Sequence, residues 1–263
     1  MRGSSFKAAV FAALLGGVAA LPATNASAHG SQAMEMPAIT IYHLEGRRSE
    51  RIVWLMEELD LPYALEYVRG DLGASMQKVR DLGHGMHMVP TVVYGDQILV
   101  ESGAIIDVIL ARHGGGRLAP AVDSPDYPDH VKWMHYAEGS LAARLFSDYR
   151  VWRINPPTQR SRLVDSQDVV QYAEDFLGEH DWFGGAAFSA ADIMMVFPLN
   201  VATGLNLVDE AQFPNIKAWK EKVEARPAYK RMLEKARPDG MIGNLPPVQH
   251  PPSDSRGGTP PGN

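Results

Sequence analysis

Three small groups of residues carry the chemistry this chain can offer: Val89-Pro90-Thr91, Glu101-Ser102, and Tyr42 with Arg47, Arg48 and Ser49. A proline directly before a strand costs a ladder hydrogen bond unless the chain is turning there. The sequence predicts a cis Val89–Pro90 bond, which would swing the N–H and C=O of Val89 outward, free to pair in strand fashion with a peptide ligand. An ordinary trans proline opening an edge strand is the plainer alternative. Glu101 and Ser102 stand where a helix begins, so unpaired N–H groups and the helix dipole attract a carboxylate while Glu101 can meet an α-amino group. An amino-acid end bearing both charges fits; a simple serine cap beside an acidic residue accounts for the same two residues. Tyr42, Arg47, Arg48 and Ser49 precede or open an earlier helix. Hydroxyls, positive charge and a helix N-terminus together favour a bound anion at that spot. Ser49 reads equally well as an N-cap.

The elements that must hold these groups are legible from periodicity. Ile39 and Ile41 alternate as in a strand, then Ile52, Leu55, Met56 and Leu59 recur at helical spacing until Leu61-Pro62 stops them. Tyr63, Leu65 and Tyr67 alternate again, which makes a right-handed parallel βαβ unit. A weakly periodic segment follows around residues 74 to 82. Thr91 to Tyr94 and Gln97 to Val100 flank Gly95-Asp96 and predict an antiparallel hairpin. The Ser102 hydroxyl is placed to cap a helix carrying Ile105, Ile106, Ile109 and Leu110, which ends at the glycines at 114 to 116. The order is βαβαββα.

The remainder predicts a helical bundle. Val131, Met134, Leu141 and Leu145 mark one buried stripe, Val169, Ala173, Phe176 and Leu177 a second, and Ile216, Trp219 and Val223 a third. Ser189 and Asp192, set three apart before Ile193, Val196 and Phe197, form a relative of the capping box and read as structural.

With these residues in view, the chain resembles the cytosolic-type glutathione S-transferases, and a bacterial and fungal subgroup in particular, over about residues 37 to 237. The resemblance is carried by Tyr42-His43-Leu44-Glu45 with Arg51-Ile52-Val53-Trp54-Leu55, by Val89-Pro90-Thr91, and by Glu101-Ser102-Gly103-Ala104-Ile105-Ile106. Trp133-Met134-His135-Tyr136-Ala137-Glu138-Gly139-Ser140 and Phe188-Ser189-Ala190-Ala191-Asp192-Ile193-Met194-Met195 add to it. It implies an α/β thioredoxin-like domain over 37–115, a linker over 116–127, and an all-α helical-bundle domain over 128–237. It further implies glutathione as co-substrate, without a metal, held by Met88, Val89, Pro90, Glu101 and Ser102, the γ-glutamyl end supplying the two charges noted above. The thiol would be activated by Ser49, Tyr42 or Arg47 and would conjugate to, or reduce, a small hydrophobic electrophile. That co-substrate would lie between the domains, with Tyr136, Arg144 and Tyr149 as contributors or as ordinary packing residues. A homodimer is implied as well.

Two positions depart from the subgroup. A serine is expected near position 47, where this chain has Arg47. A lysine is expected before the proline, where it has Met88; losing that charge-assisted contact to the glycyl carboxylate costs roughly 1.5–3 kcal/mol. His87 or the arginines at 47 and 48 are possible substitutes. Both departures are what a non-catalytic binder on the same fold would carry. The loop His84-Gly85-Met86-His87-Met88 also concentrates ligands that suit copper(I), although methionines beside a groove commonly serve as adaptable packing.

Composition sets the outer bounds. The chain has 263 residues, 45% of them hydrophobic, enough for two modest domains. Its net charge of −6, with no basic stripe, argues against nucleic acid as a partner. With no cysteine, structural disulfides and dithiol redox chemistry are excluded. Arg2 and Lys7, the apolar run Ala8 to Leu21 and Ala26-Ser27-Ala28 read as a secretory signal over 1–28, too short for a permanent anchor, which implies a periplasmic protein. Translation starting at Met34 or Met36 would make it cytoplasmic instead. Residues 238–263, rich in Pro, Gly and Ser, are expected to be a disordered tail.

Overall fold

The computed structural model describes residues 36–158 and 164–249; the expected signal segment and residues 250–263 lie outside them. Strand β1 (Ile39–Tyr42) runs into helix α1 (Glu50–Leu59) and returns as β2 (Ala64–Glu66), parallel to β1. Helix α2 (Leu72–Asp81) leads to β3 (Thr91–Tyr94), β4 (Gln97–Val100) and α3 (Ser102–His113). The sheet order is β2-β1-β3-β4, with β3 antiparallel to both of its neighbours. Gly95 supplies the positive φ of 61° that the hairpin turn needs.

Register decides where the chemistry gathers. Tyr42 pairs with Thr91, and Thr91 with Val100. The end of β1, the start of β3 and the end of β4 therefore share one edge of the sheet, and the loop after Tyr42, Val89-Pro90 and Glu101-Ser102 all emerge there. Alternation turns Ile39 and Ile41 into the core with Val92, and sends Tyr42 to the opposite face. Ile52, Leu55 and Met56 of α1 and Ile105, Ile106 and Ile109 of α3 close that core, each fully buried and each contributing about 1.5–3 kcal/mol.

The helical region opens with α4 (Tyr127–Tyr136), which continues through a π-helical turn (Ala137–Ala142) into α5 (Ala143–Ile154). Helices α6 (Gln167–Glu179), α7 (Ala190–Gly204), α8 (Pro214–Ala225) and α9 (Pro227–Ala236) complete it. Trp133 anchors the bundle among Tyr136, Phe176 and Phe183, with ring centroids 4.7–5.0 Å apart. The capping box at the start of α7 is present: Ser189 Oγ accepts from Ala191 N, and the Asp192 carboxylate accepts from Ser189 N, Phe183 N and Trp219 Nε1. Helix α1 is buried on nearly every side because it lies between the sheet and the helical region, packing on α9 and α7. The chain thus forms a thioredoxin-like α/β unit followed by an all-α one.

Two expectations need correction. Ser102 does not cap α3: it is the helix's first residue, Glu101 takes the N-cap position, and no side chain caps that end. The 238–249 part of the expected disordered tail is ordered. Its low apolar content made it read as disorder, but its backbone carbonyls are claimed by side chains from both regions. Arg69 pairs with Asp239, Arg47 Nη2 donates to Gly243 O at 2.7 Å, and the Tyr149 hydroxyl donates to Pro246 O at 3.0 Å. Val248, only 3% exposed, donates its N–H to Leu205 O and accepts from Asn206 Nδ2.

Candidate functional site

At the shared sheet edge, the Val89–Pro90 peptide bond is cis, as the sequence predicts. Thr91 Oγ1 donates to Met88 O at 2.6 Å, which fixes the loop just ahead of that bond. The Met88 side chain is left exposed, as are Met86 and His87. The His84-to-Met88 loop is folded on itself, with Met86 N donating to His84 Nδ1. Across the hairpin, Glu101 is exposed and has φ 70°, ψ 119°, a backbone conformation that a residue with a Cβ adopts only at a cost of about 1–3 kcal/mol. Ser102 is buried at the α3 N-terminus, where its Oγ lies 3.4 Å from Arg51 Nη1.

The loop entering α1 sorts the expected thiol-activating residues. Ser49 occupies the N-cap position but makes no capping bond. It is fully buried, with its Oγ 2.8 Å from His43 Nδ1 and 3.1 Å from Leu44 N. A hydroxyl so enclosed presents no face to a groove. Tyr42 is half-buried on the sheet face away from α1. Arg47 points its guanidinium along its own loop, donating to Gly46 O, to Glu45 O and to Gly243 O in the C-terminal segment.

The next residue turns the other way. Arg48 Nε donates to Glu138 Oε1 at 2.8 Å, and its guanidinium lies 5.1 Å from the Phe146 ring centroid and 4.6 Å from that of Phe197. Its side chain is 25% exposed, and among the described residues no acceptor takes its Nη groups. Arg51, on the next turn of α1, is buried and donates to the same Glu138 oxygen and to Met194 O. Burial brings the Arg51 guanidinium down to about 10, partly offset by Glu138, so it stays charged at neutral pH. Burial pushes the Glu138 carboxyl up, but hydrogen bonds and charge from Arg48 and Arg51 outweigh it and hold the group below its ordinary range. Two cations thus share one carboxylate at the junction of the two regions, with Glu138 supplied by the π-helical turn, an irregularity that often marks a functional site.

Tyr136, Arg144 and Tyr149 are not brought together there. The Tyr136 hydroxyl donates to Val169 O, Arg144 pairs with Asp148 on its own helix and donates to Asp165 O, and Tyr149 holds Pro246 O. A cavity of about 730 Å³ opens at the opposite end of α1, lined by Met56, Glu57, Tyr63, Tyr67 and Lys235, and none of the expected site residues reaches it. Sequence reasoning missed the roles of Glu138, Phe146 and Phe197. A usable signal was present for Arg51, a charge immediately before the apolar run Ile52 to Met56 that needs a partner once buried.

This arrangement gives one sheet edge that can take a peptide backbone and a charged amino-acid end, beside a cationic, aromatic-walled junction. Residues 41–117 match the family model "Glutathione S-transferase, N-terminal domain", and residues 158–227 match "Glutathione S-transferase, C-terminal domain". The chain is 27% identical over 236 residues to Glutathione S-transferase 3 of Schizosaccharomyces pombe, covering 82% of this chain and 96% of that protein. It is 25% identical over 211 residues to the disulfide-bond oxidoreductase YfcG of Escherichia coli, covering 75% and 95%. A solved glutathione S-transferase from Actinobacillus pleuropneumoniae superposes with a TM-score of 0.66 at 28% identity, covering 78% of this chain and 94% of that one. By these matches, and by the fold and sheet-edge geometry that agree with them, the chain belongs to the glutathione S-transferase family.

Proposed function

We propose that this protein binds glutathione at the sheet edge formed by Val89-Pro90 and Glu101-Ser102, and joins the intact glutathionyl group, through its sulfur, to a small hydrophobic electrophile in the junction beside Arg48. The observation that carries the reading is the Arg48 guanidinium, which follows the α1 loop directly and keeps donors free beside Phe146 and Phe197. The Val89 backbone would pair with the cysteinyl unit, Glu101 would meet the α-amino group, and the α3 N-terminus would receive the γ-glutamyl carboxylate. The sulfur would then face the N-terminus of α1, where Arg48 and the helix dipole favour S⁻ over SH. The thiol proton leaves to solvent, the sulfur lone pair forms a bond to the electrophilic carbon, and the leaving group departs with its electron pair. With a double-bond acceptor, the adduct takes a proton back. Any redox version uses the glutathione thiol itself, because the chain has no cysteine.

Glutathione titrated calorimetrically into the protein, with an analogue lacking the γ-glutamyl group as control, tests this. Binding that requires the γ-glutamyl end supports the assignment, and absence of binding at millimolar glutathione overturns it.

A further inference from the structure

The loop leading into Val89-Pro90 sets four side-chain donors within five residues: the imidazoles of His84 and His87 and the thioethers of Met86 and Met88. Its ends are pinned. Gly83, at a φ of 67°, follows α2 and donates its N–H to Arg80 O, and Thr91 Oγ1 donates to Met88 O. Between those points the loop is open. Met86 and Met88 are 37% and 56% exposed, His87 is exposed, and a Cβ on Gly85 would meet nothing within 4 Å.

Packing does not account for these two methionines. Met56, Met134, Met194, Met195 and Met232 are buried in the core, where a thioether fills irregular gaps. Met86 and Met88 reach neither that core nor the side chains packed against it. What they share with the two histidines is an available lone pair. Among the described residues, the His87 ring takes part in no hydrogen bond, ion pair or ring contact. The His84 ring takes part in one, its Nδ1 accepting from Met86 N at 3.1 Å. Accepting from an N–H requires Nδ1 to be unprotonated, so its lone pair is turned back into the loop beside Met86. An ion that takes this lone pair releases an exposed N–H, which water satisfies.

The donor set selects the ion. Thioether sulfur with imidazole suits copper(I), whereas zinc, magnesium and calcium sites draw on thiolates, carboxylates or carbonyl oxygens. Among the described residues no three histidine, aspartate or glutamate side chains gather as a set able to hold a metal ion, so no harder site competes. The flexible methionine side chains can turn to meet a small ion, and Gly85 leaves the backbone between His84 and Met86 free to close.

We propose that His84–Met88 is a copper(I) site, with the sulfurs of Met86 and Met88 and Nδ1 of His84 as ligands and His87 closing it. The site goes beyond the transferase reading and does not depend on it, because every ligand comes from this one loop.

The test titrates the full chain, under nitrogen and without glutathione, into the copper(I) complex of bicinchoninate, whose visible absorbance falls as the protein takes the ion. Met86→Leu/Met88→Leu keeps the apolar bulk and both imidazoles; His84→Gln/His87→Gln keeps both thioethers. Each double variant is expected to hold copper(I) at least about tenfold more weakly than the parent, since loss of even an outer contact costs a metal site about 10- to 100-fold. X-ray absorption of the copper-loaded parent should show sulfur and nitrogen together around the metal. That spectrum needs no variant, so it decides the matter even where a substitution disturbs the fold. No uptake by the parent, undiminished uptake in either double variant, or a shell of nitrogen alone would overturn the proposal.

Discussion

Ser49 Oγ stands 2.8 Å from His43 Nδ1, and neither side chain reaches solvent. A serine beside a histidine suggests a nucleophile and its base, but the other ring nitrogen reads differently. His43 Nε2 lies 2.6 Å from Ala236 O, a carbonyl that can only accept, so the neutral ring donates from Nε2 and accepts the Ser49 proton at Nδ1. The pair ties the end of β1, the start of α1 and the end of α9 into one polar chain. Ser49→Ala leaves His43 Nδ1 and Leu44 N without their partner and is expected to cost about 1–3 kcal/mol in urea unfolding. Glutathione affinity should be retained. Loss of turnover at unchanged stability would return Ser49 to a catalytic role.

Burial lowers both His43 and His130 to about 4, well below the ordinary histidine value of 6.5. Above that ordinary value both rings are neutral whether the chain is folded or not. Between 6.5 and about 4 the unfolded chain takes up protons that the folded one refuses, so stability falls as pH falls, by up to about 1.4 kcal/mol per pH unit for each ring. Asp192 acts in the opposite sense: burial raises its carboxyl to about 6 despite three N–H donors, so acidification through that range favours the folded state. Glu50 and Asp107, raised by burial, act with Asp192, and His113, lowered by burial, acts with the two rings, so one ring is read by difference. From about pH 6.5 to about pH 4.5 the urea midpoint of the parent should fall more steeply than that of His130→Asn, and equal slopes would exclude a buried neutral His130 ring.

Much of this was readable in the chain because local signals and burial agree. Alternation at Ile39 and Ile41, helical spacing from Ile52 to Leu59 and the Gly95-Asp96 turn each lead to the element observed. So does the Ser189–Asp192 capping box, whose partners are all within a few residues or on a neighbouring helix. Relationships across long separations were not readable. Arg48 and Arg51 meet Glu138 about ninety positions away, and no period in the sequence links them. The ordering of 238–249 was hidden for the same reason: it depends on Arg47 and Tyr149 reaching backbone carbonyls, and carbonyls have no residue identity. Ser102 misled because a serine before an apolar helix is the usual cap, whereas Glu101 takes that position with an unfavourable φ.

The role proposed for Arg48 makes a spectroscopic claim. Arg48→Gln keeps a hydrogen-bond donor near Glu138 but removes the charge facing Phe146 and Phe197. The thiol pKa of bound glutathione, followed by the ultraviolet absorbance of the thiolate during a pH titration, should rise by about one unit or more. At neutral pH kcat/KM should fall by about 10- to 100-fold, with a smaller change in glutathione affinity. An identical thiolate titration in both proteins would assign the activation to the α1 N-terminus alone.

Glu101 offers a case in which stability and binding are expected to move apart. Its φ of 70° is one that glycine adopts freely, so Glu101→Gly should relieve roughly 1 kcal/mol of backbone strain and raise the unfolding midpoint. The same change removes the carboxylate proposed to meet the α-amino group, and glutathione should bind about tenfold more weakly or worse. Glu101→Gln separates the two effects, since it keeps the strained backbone and the side-chain shape while losing the charge: it should match the glycine variant in affinity and the parent in stability. If both variants bind glutathione as tightly as the parent, the anchor for the γ-glutamyl end lies elsewhere on the sheet edge. A glycine variant that is both weaker binding and less stable would show instead that the lost Glu101 side chain, or the extra freedom of glycine in the unfolded chain, outweighs the relieved strain, and Glu101→Asn, which keeps a side chain and tolerates positive φ, separates those two causes.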